Sequence, residues 1–440
     1  MSDTAQLSEA KRRLLQKMLA GSNTPRAESV PSITPRAPGT DAPISAEQMN
    51  VWVHAAMAQD VPLYNEAVTI HRCGPLDIAL LERAFDEVLR RHESWRSVFV
   101  LVDGDVRQIV APECHVSLKL TDLSALPPEE REAEAQRLAV AEARKPFDLA
   151  QAPLLRGQVI RMAADEYRIY LALHHIIFDG VSLYQVMVPE LAAIYAAYEA
   201  GTTPSLPAPR LQYGDYALWR RQQLESGAFD KQLGYWRERL SGELPVLQLP
   251  TDRPRPDNLA YHGAMETFVL SGALTEHLKS LAKAEGVTLY MVLLAAYKVM
   301  LHRYSGQDDV IVGGVTDTRR RPELQALMGY FLNSVALRSR PQADKPFRAF
   351  LKEVRDTVLG ALDNADAPFD HVVRAVKPKR DASSHPLFQV LFSIQPPMPE
   401  FGNGWDLTQM DVAVGTAKLD LYLELEERVE GLIGLIGRAR

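Results

Sequence analysis

A chain of 440 residues is too long for one ordinary domain, and 46% hydrophobic content is enough for a full core. A net charge of −7 argues against a nucleic-acid partner. The two cysteines, Cys73 and Cys114, lack metal-ligand or redox spacing, as expected in a reducing cytoplasm, and neither a signal peptide nor a membrane-spanning apolar run is found.

Taken in chain order, residues 7 to 20 are expected to form a short amphipathic helix. Leu7, Leu14, Leu15, Met18 and Leu19 make its apolar stripe, and Lys11, Arg12, Arg13 and Lys17 its basic face. Gly21 is its stop. Residues 22 to 43 carry Pro25, Pro31, Pro35, Pro38 and Pro43 among Ser, Thr, Ala and Gly, which reads as a linker. A helix this short is marginal alone, so it either docks on its own body or receives a partner. The body starts near Ile44. Asp77 is placed to cap a helix running to Arg91, with Leu81, Phe85, Val88 and Leu89 on its core face. A strand follows from Arg96 to Val102.

Tyr167 to Leu173 is aromatic, β-branched and apolar enough for a buried strand. It runs into His174-His175-Ile176-Ile177-Phe178-Asp179-Gly180, where Gly180 marks a turn, and then into a helix over Ser182 to Ala200. Alternation along a strand sends His174 and His175 to opposite faces. One imidazole then reaches a cleft and the other is structural. Adjacent histidines on a strand diverge, and no other ligand spacing accompanies them, so a metal site is not expected. Asp179 is expected to pair with a cation, and a pair of satisfied, non-catalytic histidines is the competing reading.

Residues 204 to 260, rich in proline and aromatics, are expected to cross to a second α/β block. That block has helices near 274–285, 288–304 and 347–363, and strands near 309–313, 389–395 and 419–424. No sequence repeat links the two halves.

His-His-x-x-x-Asp-Gly resembles the signature of condensation domains of nonribosomal peptide synthetases, within the chloramphenicol acetyltransferase-like superfamily. Six further stretches resemble that family's core motifs in order. They are Ser45-Ala46-Glu47-Gln48 with Trp52; Arg91 to Arg96 with Phe99; Tyr213 to Ala217 with Trp219; Met328 to Ser334; Asn364 to Asp370; and Arg380-Asp381 with Ser384 and Pro386-Leu387. The match covers roughly residues 44 to 434. Asp60 to Glu66 resembles condensation domains of hybrid polyketide–peptide lines.

The resemblance implies an α/β pseudo-dimer of two acetyltransferase-like lobes in a V with a central tunnel. The lobes are expected over 44–225 and 226–440, preceded by a docking helix at 1–21 and a linker at 22–43. Members usually continue past Gly431 to Gly434 into a last strand and helix. The second lobe is therefore expected to be truncated at its end, with an exposed sheet edge.

The implied reaction is attack of a carrier-bound aminoacyl amine on a carrier-bound acyl or peptidyl thioester. No cofactor is held permanently. The 4'-phosphopantetheine arms come from upstream and downstream carrier proteins, and residues 1–21 are expected to meet an upstream megasynthase subunit. His175 is the general base or a hydrogen-bond donor to the tetrahedral intermediate, and His174 packs behind the strand. Asp179 is expected to pair with Arg91, or second with Arg96, and Gly180 to let the backbone turn tightly. Asn333 and Ser334 are tunnel-lining candidates, a backbone cap being the other reading of Asn333. Tyr213, Tyr216 and Trp219 are expected to pack the lobes together, and Asn364, Asp366 and Arg380 to be structural. A free-standing acyl-coenzyme A-dependent acyltransferase and an inactive carrier-binding module are the alternatives.

Overall fold

The structure, a computed structural model, describes residues 32–37, 39–251, 255, 261–379, 383–395, 404–409 and 412–439. The expected helix over 7–20 and Arg380 lie outside the described residues. The body is one compact unit, Pro35–Arg440.

The first half contains strands β1 (Ala42–Pro43), β2 (Asn65–Cys73), β3 (Ser97–Val102), β4 (Asp105–Val110), β5 (Leu118–Asp122), β6 (Leu155–Ala163) and β7 (Glu166–His174). Its helices are α1 (Ala46–Met57), α2 (Ile78–Arg91), α3 (Pro128–Ala143) and α4 (Val188–Glu199). Helices α5 (Tyr213–Glu225) and α6 (Asp230–Arg239) follow. The second half adds β8 (Gly263–Ser271), α7 (Gly272–Glu285), α8 (Leu289–Ser305), β9 (Val310–Asp317), β10 (Leu332–Ser339), α9 (Phe347–Asp363) and α10 (Phe369–Val376). It ends with β11 (Val390–Ile394), β12 (Trp405–Gln409), β13 (Leu421–Arg428) and β14 (Gly431–Ala439).

Among the described residues three sheets result. Their strand orders are β1-β4-β3, β12-β2-β7-β6-β5 and β10-β9-β11-β13-β14-β8. Strand β7 is central in its sheet, and both of its faces are covered. Tyr167, Ile169, Leu171 and Leu173 enter the main core with α2 and α4. Tyr170 faces the other way, into the small core beneath α3 with Ala135 and Ala139. That double burial is why the strand reads as a continuous apolar run rather than an alternating one. Helix α2 starts where expected, with the Asp77 side chain accepting from the Leu80 N–H at 3.1 Å.

Two expectations are corrected here. The lobes do not divide at one point of the chain: β12, from the second half, pairs antiparallel with β2, placing Trp405 opposite Arg72 in the first-half sheet. Nor does the end of the chain leave an open edge. Residues 431–439 form β14, which pairs with β13 on one side and β8 on the other. Among the described residues the edge strands of that sheet are β10 and β8, the latter taking the place beyond β14.

Candidate functional site

Strand β7 ends at His174, and His175 opens a single 3-10 turn. The two rings part there. His174 is 4% exposed, its Nδ1 accepts from the Ile176 N–H at 3.3 Å, and Tyr64 and Phe147 flank it. Burial, with the His175 and Lys418 charges adding to it, pushes its pKa down to about 3, so it stays neutral. His175 is only partly buried. Its Nδ1 lies 2.9 Å from the Phe178 carbonyl oxygen. A carbonyl only accepts, so Nδ1 carries a proton, and in the neutral ring the lone pair is on Nε2. The imidazole stacks on Phe178, with centroids 4.9 Å apart and planes at 23°, and meets Tyr330 edge-on at 5.2 Å and 86°.

Among the described residues Asp179 makes no hydrogen bond to the imidazole. It is fully buried and accepts from the Ser182 N–H at 2.9 Å, the Phe331 N–H at 2.9 Å and Arg319 Nη2 at 2.8 Å. Arg319 therefore replaces both arginines expected from the sequence. Arg91 is committed elsewhere, forking onto Glu190 at 2.8 and 3.1 Å and donating to the Pro207 carbonyl at 2.7 Å. Arg96 donates to the Ala111 carbonyl. Both stay within the first half, whereas Arg319 follows β9 in the second.

Ser182 completes the junction. Its Oγ accepts from Gly329 N at 3.0 Å and Arg319 Nη2 at 2.7 Å. Its single proton goes to one of Asp179 Oδ1 and Gly329 O, both 2.9 Å away. The 329–331 segment of the second half is thus stapled to the 179–182 turn of the first.

Gly180 is not needed for a left-handed turn. It begins the helix that continues as a π-helical segment over Ser182–Met187. What it supplies is room: a Cβ there would lie 3.3 Å from Tyr184 Cε2 and 3.6 Å from Gln395 Oε1. Gln395, just beyond β11, in turn donates to the buried carboxyl of Glu424 on β13. Burial raises the Glu424 pKa, opposed by hydrogen bonds from Tyr422 and Gln395.

Asn333 is a cap and not a tunnel-lining amide. It is 4% exposed; its Nδ2 donates to Ala365 O at 2.8 Å and Ala367 O at 2.9 Å, and its Oδ1 accepts from Phe369 N at 3.0 Å. Every one of these bonds goes to the backbone that leads into α10. Ser334, next along β10, is partly buried on the opposite face, opposite Val315 of β9. Asn364 donates to Gly360 O at 2.9 Å, and Asp366 pairs with Arg320 at 3.0 Å, both structural roles.

Tyr213 and Tyr216 join the halves. The Tyr213 hydroxyl donates to Tyr330 O at 2.5 Å and lies 2.9 Å from Ser45 Oγ, and the Tyr216 hydroxyl lies 2.8 Å from Thr318 Oγ1. A Cβ on Gly329 would fall 1.8 Å from Tyr213 Cδ2, so only glycine permits that approach. Arg319, Tyr330 and Gln395 are site residues that sequence reasoning did not single out. Arg319 sits in the run Arg319-Arg320-Arg321, an available signal; Gln395 carries none.

The chain matches the family described as Condensation domain over residues 39–432. It is 41% identical over 394 residues to a component of the linear gramicidin synthase of Brevibacillus parabrevis, an alignment covering 89% of this chain and 8% of that protein. The chain thus spans a small part of such a relative. Among solved structures, the X-domain from teicoplanin biosynthesis is similar with a TM-score of 0.80 and 24% identity, covering 93% of this chain and 92% of that one. The first condensation domain of the calcium-dependent antibiotic synthetase, in complex with a substrate analogue, is similar with a TM-score of 0.77 and 21% identity over 91% of each chain. The fold is that of these proteins, a pseudo-dimer of two chloramphenicol acetyltransferase-like lobes, and the chain belongs to the condensation-domain family of nonribosomal peptide synthetases.

Proposed function

We propose that this domain joins two carrier-bound substrates by thioester aminolysis, with His175 as the general base. The supporting observation is the His175 Nδ1 to Phe178 O distance of 2.9 Å, which favours the tautomer with its proton on Nδ1 and its lone pair on Nε2. The amine of the acceptor attacks the donor carbonyl. A C–N bond forms, the proton passes to Nε2, and the C–S bond breaks as the proton goes on to the departing thiolate. The phosphopantetheine arms are parts of the substrates, delivered by upstream and downstream carriers.

Positioning supplies the larger share of the rate. Holding two tethered reactants together is worth roughly 7–11 kcal/mol, against a typical base contribution of about 10²–10⁴-fold. Asp179 acts at one remove, fixing the two halves around the cleft. Residues 1–21 are proposed to dock an upstream synthetase subunit. Their deletion should lower transfer from that subunit's carrier and leave transfer from a small pantetheine thioester unchanged.

The test is single-turnover amide formation followed by intact-protein mass spectrometry, with loaded donor and acceptor carriers. His175→Ala should lose at least about 10²-fold. Near wild-type turnover in that variant would remove His175 from the chemistry. Transfer from an acyl-coenzyme A donor but not from a carrier would favour a free-standing acyltransferase.

A further inference from the structure

His175 is held by two kinds of contact. Its bond to the Phe178 carbonyl and its stack on the Phe178 ring both come from the same short turn. They follow the imidazole wherever that turn goes. The edge-on contact with Tyr330 is different, because Tyr330 belongs to the other half of the fold.

Tyr330 is itself fixed from both sides. Its carbonyl accepts from the Tyr213 hydroxyl at 2.5 Å. Gly329 before it donates its N–H to Ser182 Oγ at 3.0 Å, and its carbonyl oxygen lies 2.9 Å from the same hydroxyl. Phe331 after it donates to Asp179 at 2.9 Å. Three consecutive residues of the second half are therefore tied to the first, and the middle one places its ring against the imidazole. Among the described residues no hydrogen bond to the Tyr330 hydroxyl is found, so the ring's place is set by its backbone and its packing.

We propose that Tyr330 is a positioning residue for His175: an aromatic wall, delivered by the second half of the fold, that sets the direction of the Nε2 lone pair. This rests on the reading of His175 as the base. It also gives Asp179 a route to the chemistry, since the carboxylate that bonds Phe331 holds Tyr330 in register with the histidine.

The test uses the full chain and four variants: Tyr330→Phe, Tyr330→Ala, Tyr330→Leu and His175→Ala. The first readout needs no substrate. In protein labelled with ¹³Cε1-histidine, the His175 signal is identified by its loss in His175→Ala. It should move or broaden in the Ala and Leu variants and hold its place in Tyr330→Phe, while the signals of the other histidines stay put. The second readout is amide formation with loaded carriers. In the Ala and Leu variants kcat should fall about 10- to 100-fold with KM for the acceptor carrier little changed, as expected for a misaimed catalytic group. Tyr330→Phe should restore the rate. A His175 signal that ignores Tyr330→Ala and Tyr330→Leu would overturn the proposal, and so would a Phe variant as slow as Ala, which would give the role to the hydroxyl. Full activity in His175→Ala would sink the general-base reading instead, and is told apart by that variant alone.

Discussion

Asp179 and Arg319, 140 residues apart in sequence, meet as a buried ion pair with Arg319 Nη2 2.8 Å from Asp179 Oδ1. Neither is more than 3% exposed. The pair brings the signature turn of one half against the β9–β10 connection of the other, and the guanidinium also lies over the Phe331 ring at 3.8 Å. The motif's carboxylate is thus an architectural element. It ties the two halves of the fold together beside the neighbouring imidazole.

Breaking this pair from one side should be costly, since it leaves a buried charge uncompensated. Asp179→Ala and Arg319→Ala are each expected to lose about 3–5 kcal/mol of stability. The double variant should lose much less than the sum of the two, because the second change removes a charge that the first had stranded. Thermal or urea midpoints of the four proteins measure this. Additive losses would mean that the pair is not coupled. Pairing Asp179→Ala with Arg91→Ala serves as the control and should be additive.

Asn333→Ala separates a structural amide from a substrate contact. It strands the Ala365 and Ala367 carbonyls and the Phe369 N–H. Each stranded buried group costs about 1–3 kcal/mol, so a clear drop in the unfolding midpoint is expected. The activity of the fraction that remains folded should stay close to wild type. A rate loss without a stability loss would return Asn333 to the substrate path.

The limits of sequence reasoning depend on which forces act locally. The helix over 78–91 was legible because its cap and apolar stripe lie within one stretch of chain. His174 and His175 do part as expected, but by a different cause: strand alternation stops at His174, and the 3-10 turn that His175 opens sends the second ring away. The partner of Asp179 was not legible, because the choice among Arg91, Arg96 and Arg319 depends on how the halves meet. Arg91 looked suitable until Glu190, on α4, proved to hold it. Asn333 was ambiguous for the same reason: a cap and a cleft-lining amide have identical sequence, and only the approach of the 365–369 backbone decides. The edge expected from a missing last strand is not at the end of the chain, because residues 431–439 form β14 between β13 and β8. The edge on that side is β8 instead.

Glu190 carries a pH signature. Burial would raise its pKa, but hydrogen bonds and charges from His92 and Arg91 outweigh that and hold it at about 2. A carboxyl depressed in the fold stabilises it above the unfolded value, and that contribution is lost as pH falls from about 4.5 towards 2. Glu190→Gln should therefore be less stable than wild type near neutrality, by up to roughly 3 kcal/mol on the linkage relation. The gap should begin to narrow below pH 4.5. Unfolding midpoints of both proteins between pH 7 and 3.5 provide the check, and a constant gap would show that Glu190 is not depressed.

Lys298 gives the opposite kind of signature, at the alkaline end. It lies on α8 with no exposed surface, donating to Leu337 O and Ser339 Oγ, both at 2.7 Å. Burial, aided by the Arg239 charge and opposed by Asp309, pushes its pKa down from 10.5 to about 7. Between those two values the unfolded chain holds a proton that the folded chain does not. Stability therefore rises with pH across that window, by on the order of 5 kcal/mol in all. Below pH 7 both states are protonated and the cost of the buried charge is constant. Lys298→Met removes the titration while keeping an unbranched chain of similar length. The absolute stability of that variant depends on how well the orphaned Leu337 carbonyl and Ser339 hydroxyl are accommodated, but the slope does not. Wild-type midpoints should climb relative to Lys298→Met from pH 7 to about 10 and run parallel to them from pH 5.5 to 6.5. Parallel curves across the whole range would mean that Lys298 keeps an ordinary pKa in the folded protein, with its charge satisfied by the two oxygens it faces.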